Sequence, residues 1–199
     1  MAEELVSLTV GRIIRSSSTR FSVGCRALQP QVPAFGSLVK VPALGGDQIY
    51  GLIHDVRMED DPFVRQVAVT EHLRPEIIVD QRDNRQVPIE VSVLVVGYRH
   101  QGEIIQRFPP QPPLSLDELH TCASGELVDF TGRFDYFRLV LDCRDLPADE
   151  LLAANLRTAA EARGEGPGRD FLVNAGRELA RLLAMDLYRL DAILRRIRP

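Results

Sequence analysis

Short runs of alternating apolar and polar residues fill the first half of this chain and restrict its fold most strongly. The runs are residues 6–14, 35–41, 48–56, 63–70 and 87–97. A period of two places every second side chain on one face, as in a strand with one buried side. Because the runs are short and glycine turns are frequent, they favour a small closed β-barrel over a sandwich of long strands.

Two glycine-containing sites refine this β prediction. Gly45 and Gly46, followed by Asp47, form a favourable turn that makes residues 48–56 the hairpin partner of residues 35–41. Gly11 interrupts the first run and indicates a bulge or a sharp bend.

Several different elements are predicted after the strong strand at residues 87–97. Residues 103–108 return as a further strand, and the prolines of residues 109–114 form a stiff connector or a strap lying on the barrel. Ser115 and Glu118 fit a capping box, which predicts a short helix that ends near Gly125. Residues 134–141 read as a last strand.

Helical periodicity begins at Asp145. Residues 163–168 are rich in glycine and predict a linker, and residues 169–197 carry leucines at three- and four-residue steps, which predicts one long amphipathic helix. The fold class is therefore α+β, with an N-terminal small β-barrel followed by a mainly α-helical C-terminal region. We divide the chain into three parts. Residues 1–108 form the β-domain, with strands completed from residues 126–142, and residues 109–114 form the connector. Residues 115–199 form a mixed and then helical region.

The long predicted helix offers a broad leucine face with arginines at its C-terminal end. This face either docks on its own domain or pairs with another subunit to form a homo-oligomer. The candidate interface residues are Leu179, Leu183, Leu187, Leu190, Leu194, Arg195 and Arg196.

Four segments of the first half resemble a known domain. Residues 10–14, 18–21, 36–41 and 50–56 look like the HAS-barrel, the β-barrel named for HerA and ATP synthase, over about the first 70 residues. In that family the barrel caps the N-terminal side of a hexameric ring, and in HerA-type DNA translocases it helps dock the partner nuclease, NurA. The resemblance implies a scaffold or docking role, with a ring ATPase or a nuclease as the partner.

The ATPase core of that family has no counterpart in this sequence. No Gly-x-x-x-x-Gly-Lys-Ser/Thr loop occurs, and the single lysine, Lys40, falls within a predicted strand. A nucleoside triphosphate site needs backbone N–H groups at a helix start together with a lysine and a hydroxyl. A Walker-type nucleotide site is therefore excluded.

Motifs for catalysis and metal binding are missing as well. The histidines are scattered without a metal-binding pair, Cys25, Cys122 and Cys143 lie far apart, and no Gly-x-Ser-x-Gly elbow occurs. We predict no catalytic residue, no cofactor and no metal, and thus a protein that is not an enzyme. The acidic start and the lack of a long apolar run predict a cytoplasmic protein without a membrane span.

Two function classes follow. The first is a non-enzymatic adaptor or assembly module that docks on a protein partner. The second is a nucleic-acid-binding β-barrel that uses the 23 arginines of the chain, although a net charge of −4 gives no global attraction to phosphates. Salt separates the two, because phosphate binding weakens steeply as salt rises and apolar docking does not.

Overall fold

The computed structural model describes residues 7–27, 34–58 and 87–198. The strands are β1 (Thr9–Ser16), β2 (Arg20–Ala27), β3 (Leu38–Pro42), β4 (Gln48–Met58), β5 (Val87–His100), β6 (Glu103–Ile105) and β7 (Glu118–Thr121). The helices are α1 (Ser124–Phe130), α2 (Tyr136–Leu141), α3 (Ala148–Glu161), α4 (Glu165–Leu182) and α5 (Leu187–Ile197).

Six of the strands close into a barrel. Their order is β2-β1-β7-β3-β4-β5, and β5 pairs back with β2, so the ring is complete. All of these pairings are antiparallel, and β6 extends β5 as a hairpin outside the ring. The predicted α+β class, a β-barrel in the N-terminal part followed by helices, is confirmed.

Closure of the barrel depends on a strand that follows the proline-rich segment. β7 pairs with β1 on one side and with β3 on the other. Pro109 and Pro113 are buried, and Pro109 and Pro112 lie beside Ile49 and Tyr98 of the barrel. The proline segment is therefore a strap on the barrel that delivers the chain to its last strand.

The barrel wall separates two apolar cores, as alternation along β5 illustrates. Val91, Val93 and Val95 point into the barrel, whereas Leu94 and Val96 point outward into a second core that the helices cover. The side chains within the barrel are Ile13, Phe21, Val23, Val39, Val41, Ile49, Ile53, Ile89, Val91, Val93, Val95 and Leu119. A barrel of this size is filled by its own side chains.

The helices form the other half of the second core. Phe130 of α1 packs tilted against Tyr50 of β4 and Tyr136 of α2, with ring centroids 5.1 Å and 5.4 Å apart. Buried Asn155 of α3 accepts a hydrogen bond from the Tyr136 hydroxyl (2.9 Å) and donates one to the Gly36 carbonyl (3.3 Å). Barrel and helices therefore share one apolar core, and Asn155 links them by hydrogen bonds; we call Asn155 the polar tie.

The strand predicted at residues 134–141 is wrong, because this segment contains helix α2. Tyr136, Phe137, Val140 and Leu141 are its buried residues, and this spacing is that of one helix face. The proposal that residues 126–142 complete the β-domain fails for the same reason, since α1 and α2 occupy them.

Two shorter predictions are also wrong. Ser115 does not begin a helix, because residues 114–117 form a turn and Glu118–Thr121 is β7. Residues 163–168 are not simply a linker, since α4 begins at Glu165 and its first turn contains Pro167, a position where the missing N–H costs nothing.

The single helix predicted over residues 169–197 is two helices. α4 ends at Leu182, and α5 begins at Leu187 with Asp186 as its N-cap, whose Oδ1 accepts from the Arg189 N–H at 3.0 Å. Leucine spacing continues across the break, so periodicity alone did not reveal it.

Other local predictions are confirmed. Gly45 and Gly46 both hold positive φ values, 82° and 85°, in the turn before β4. The β1–β7 register shifts between Thr9 and Gly11, as the bulge prediction requires. The strand predicted at residues 63–70 lies outside the described residues. Within the described ranges, no helix is long and apolar enough to span a bilayer.

Candidate functional site

The predicted leucine face is divided between the core and the surface. Leu179 and Leu183 are buried in the core shared with the barrel, and Leu190 and Leu194 pack half-buried against it. Leu187 alone among these leucines is largely exposed. Most of the face therefore docks on its own molecule, which was one of the two alternatives.

Of the two arginines of the candidate interface, one is exposed on α5 and the other contacts α3. Arg195 is exposed and pairs with Asp191 one turn earlier in α5, at 2.7 Å. Arg196 pairs with Glu150 in the first turn of α3 and donates to the Ala192 carbonyl. Arg196 thus holds α5 on α3.

The turn between α4 and α5 carries an exposed apolar cluster, which we call the helical tip: Met185, Leu187 and Tyr188. Their exposed fractions are 99%, 69% and 89%. Asp186 within the same turn caps α5, so the turn is a defined structure. The sequence prediction found only Leu187 of these three, because a continuous helix would have turned the others to different faces.

A strained leucine marks a second surface, on the barrel wall. The turn at residues 114–117 is closed by a hydrogen bond from the Asp117 N–H to the Leu114 carbonyl (3.3 Å), and Leu116 has a φ of 72°. Glycine or asparagine is usual at such a position, because a Cβ clashes in the left-handed region. Leucine is therefore an unusual residue at this backbone position, and an outlier of this kind can indicate a functional site.

The backbone of Leu116 is held on both sides. Its N–H donates to the Ile13 carbonyl at 2.9 Å, and its carbonyl accepts from Nη1 of Arg12 at 3.0 Å. The side chain nevertheless gains little burial, since it is 67% exposed. These bonds therefore fix an apolar side chain in solvent.

Two further exposed apolar residues lie near Leu116 in the fold, one on the neighbouring strand and one in the same turn. Ile14 of β1 is 48% exposed and Leu114 of the turn is 49% exposed. The hydrogen bonds from the Ile13 N–H to the Asp117 carbonyl and from the Leu116 N–H hold the turn beside Ile14. We call Ile14, Leu114 and Leu116 the barrel patch. Sequence reasoning missed it, because residues 115–118 were interpreted as a helix start.

A polar cluster joins the barrel to the loop between α2 and α3. Arg20 of β2 donates to both carboxylate oxygens of Asp145, and this hydrogen bonding holds the pKa of Asp145 down at about 2. The imidazole of His54 on β4 lies nearby, half-buried, and its burial together with the charge of Arg20 lowers its pKa. His54 is therefore mainly neutral near pH 7.

A groove of about 550 Å³ opens at this cluster, and we call it the junction groove. It is lined by Phe35, His54, Asp55, Val56, Asp145, Leu146 and Pro147. A second groove of about 690 Å³ shares Leu146 and Pro147 with it and extends to Arg189, next to the helical tip. The two grooves thus adjoin at Leu146 and Pro147.

Three further titratable groups, Lys40, Glu126 and Cys122, lie between the barrel and α1 or at its start. Lys40 pairs with Glu126 of α1; burial of Glu126 opposes its ionisation, but the bonds from Lys40 and the Ala123 N–H leave its pKa lowered. Burial raises the pKa of the Cys122 thiol to about 12. Among the described residues, no group of three His, Cys, Asp or Glu side chains is placed to hold a metal ion.

Many of the arginines are already neutralised by carboxylates. Nine in the described ranges form ion pairs: Arg12, Arg15, Arg20, Arg57, Arg133, Arg181, Arg189, Arg195 and Arg196. A paired carboxylate offsets part of the positive charge that a phosphate would meet, so these side chains give a smaller electrostatic footprint for a nucleic acid than unpaired arginines would.

No protein-family model matches the sequence. No curated protein matches it either. The resemblance to the HAS-barrel stays a prediction.

Proposed function

We propose that this protein is a non-enzymatic adaptor that docks on a protein partner through the barrel patch. The observation that carries the proposal is Leu116, a leucine in a left-handed turn position. Its N–H bonds the Ile13 carbonyl and its carbonyl accepts from the Arg12 side chain, yet the residue is 67% exposed. The two hydrogen bonds maintain the strained conformation, and residues held in this way cluster at binding surfaces. The proposal is that a partner buries the leucine.

The character of the patch indicates a protein surface as its partner. Ile14, Leu114 and Leu116 are apolar and rimmed by Arg12, which pairs with Glu118 at 2.5 Å. An apolar centre with a polar, charge-paired rim is the usual anatomy of a protein–protein interface. Fully burying an exposed leucine contributes ~1.5–3 kcal/mol, and these three side chains are half to two-thirds exposed, so their burial offsets part of the cost of association.

The alternative, a nucleic-acid-binding barrel, has weaker support. Its main observation was the number of arginines, and nine of those in the described ranges are engaged by carboxylates. The three residues of the barrel patch are apolar, and Arg12 beside them is paired with Glu118. The resemblance to the HAS-barrel implies a ring ATPase or its nuclease as the docking partner, and we adopt this class in the proposal.

Capture from native lysate tests the proposal, with the full-length protein as bait in three forms. The wild type and Val173→Ala retain the partner, and Leu116→Gly loses it. Val173 is the matched control, because it is an exposed apolar residue on α4 that belongs to neither surface. Treating the lysate with nuclease leaves the capture unchanged if the partner is a protein held by protein contacts.

Two results would overturn the proposal. One is a captured partner that Leu116→Gly retains as well as the wild type does. The other is a capture that disappears after nuclease treatment, in which case the nucleic-acid alternative replaces the adaptor.

A further inference from the structure

Helix α5 buries few of its side chains. Ile193 and Ile197 are the two buried residues among its 11, whereas α3 buries seven of its 14. Leu190 and Leu194 are half-buried beside them and pack against the shared core. Segments with few buried apolar contacts open at a lower free energy than the core of a protein does. Apolar packing therefore holds α5 less firmly than it holds α3.

Arginine side chains supply the polar attachment of α5. In the described part of the chain, every hydrogen bond or ion pair between α5 and another element involves a guanidinium group. The contacts run from Arg189 to Asp149 (2.7 Å) and to the Leu141 carbonyl (3.2 Å), from Arg196 to Glu150, and from Arg157 of α3 to the Arg196 carbonyl (2.8 Å).

The two ion pairs attach both ends of α5 to one place on α3. Arg189 is in the first turn of α5 and Arg196 in the last, about 10 Å further along the helix, and both reach the first turn of α3. The four side chains of these pairs are between 29% and 50% exposed. Salt screens charges that solvent reaches, whereas it does not weaken apolar burial. Rising salt should therefore loosen α5 without loosening the barrel.

The turn before α5 allows the helix to move as a unit. Ala184, Met185 and Asp186 are exposed in this turn, so its backbone can change conformation without disturbing buried side chains. A helix of 11 residues is only marginally stable alone in water. Once it leaves α3, α5 should therefore unfold, and its amide protons should exchange with solvent.

We infer that α5 is a salt-sensitive latch, which undocks from α3 and unfolds as a unit while the barrel and α3 stay folded. The arginine contacts set how often the latch opens. Opening uncovers the apolar surface beneath Ile193 and Ile197 and removes the wall that Arg189 and Arg196 form along the groove at residues 141–150. No residue of the barrel patch contributes, so this inference is independent of the proposed docking.

Hydrogen exchange of the full-length chain, followed by NMR at individual amides, tests this inference. In the wild type, residues 190–197 should exchange through an opening that leaves the amides of β5 protected. Raising NaCl from about 0.05 M to about 0.5 M should increase the opening constant of α5 about two- to fivefold, with no such increase in β5.

A double variant, Arg189→Gln with Arg196→Gln, removes the ion pairs. We expect its opening constant at low salt to be about tenfold that of the wild type, and its response to salt to be lost. The matched control is Arg195→Gln, because Arg195 is also in the last turn of α5 but pairs with Asp191 of the same helix. This control should change the opening constant less than about twofold.

Three outcomes would overturn the inference. Residues 190–197 could exchange as slowly as β5, which would mean that α5 opens only when the whole molecule unfolds. The opening of α5 could be unchanged by salt, or Arg195→Gln could open it as much as the double variant does. The wild-type salt series needs no substitution, so it decides the question even if thermal melting shows the double variant to be unfolded.

Discussion

Leu116 combines an unfavourable backbone conformation with an exposed apolar side chain, and this combination predicts an unusual mutational result. Leu116→Gly should stabilise the protein by about 0.5–1 kcal/mol, because relief of left-handed strain (~1–2 kcal/mol) exceeds the entropic cost of glycine (~0.5–1 kcal/mol). Urea unfolding measures the change. Leu114→Gly is the control, since Leu114 is outside the left-handed region, and it should destabilise. A destabilised Leu116→Gly would mean that the side chain supports the fold.

His54 gives the protein a defined pH dependence. Burial, followed by the charge of Arg20, lowers its pKa in the folded state, so the unfolded chain takes up the proton first as the pH falls. The stability that depends on neutral His54 is complete above about pH 6.5 and is lost as the pH falls below that value toward the folded pKa. Asp145, with a pKa of about 2, titrates well below this window.

The corresponding variant is His54→Gln, which keeps a polar side chain but cannot be protonated. Between pH 7.5 and pH 5, the wild type should lose more unfolding free energy than His54→Gln. Equal losses in the two proteins, measured by urea titration at each pH, would show that His54 is not the group responsible.

At the scale of elements, the break between α4 and α5 depends on one cap. Asp186 accepts from the Arg189 N–H and begins α5, which buries Ile193 and Ile197. Asp186→Ala should therefore cost about 1 kcal/mol, the usual value for a lost N-cap. Asp191→Ala removes only an exposed pair with Arg195 and should cost less than about 0.5 kcal/mol. Equal thermal shifts for the two variants would contradict this role of Asp186.

The strands of the barrel were more predictable from sequence than the helices. The alternating valines of β5 and the positive-φ glycines before β4 are local sequence patterns, and such patterns predict local structure without knowledge of the tertiary contacts. Phe134 to Leu141 misled the prediction, because a short run of aromatic and branched residues suits a strand as well as a buried helix. The helix is favoured by tertiary packing: Tyr136 contacts Phe130, which in turn packs on Tyr50 of the barrel.

The candidate surfaces were harder still to predict. Periodicity identified the leucines of α4 and α5, yet it could not say which of them the barrel wall would cover. The helical tip depends on a helix break whose one sequence signal is Asp186, a residue that also occurs inside helices. The barrel patch depends on hydrogen bonds between Leu116 and β1, which are more than 100 positions apart in sequence.

At the scale of the whole molecule, Asn155 is the polar tie between helices and barrel. Asn155→Ala would leave the buried Tyr136 hydroxyl and the Gly36 carbonyl without this partner, at a cost of about 2–4 kcal/mol. Asn174→Ala, on the exposed side of α4, should change stability by less than about 0.5 kcal/mol. A small effect of Asn155→Ala in urea unfolding would mean that apolar packing alone unites the two halves.

The shared core also sets how the molecule can be dissected. Phe171, Ala175, Leu179, Ile193 and Ile197 from α4 and α5 are buried against the elements that precede them. Removing the C-terminal helices would therefore expose the core as well as the helical tip. Point substitutions on the exposed surfaces separate docking from folding, and truncation does not.

Docking through the barrel patch is tested most directly by titrating the purified, captured partner with wild type, Leu116→Gly and Val173→Ala at low and at high salt. We predict that Leu116→Gly weakens the affinity about tenfold or more, since a leucine buried on binding contributes ~1.5–3 kcal/mol. Val173→Ala should bind as the wild type does, and salt should change the affinity little. Unchanged affinity of Leu116→Gly, or affinity that falls steeply as salt rises, would contradict docking through this patch.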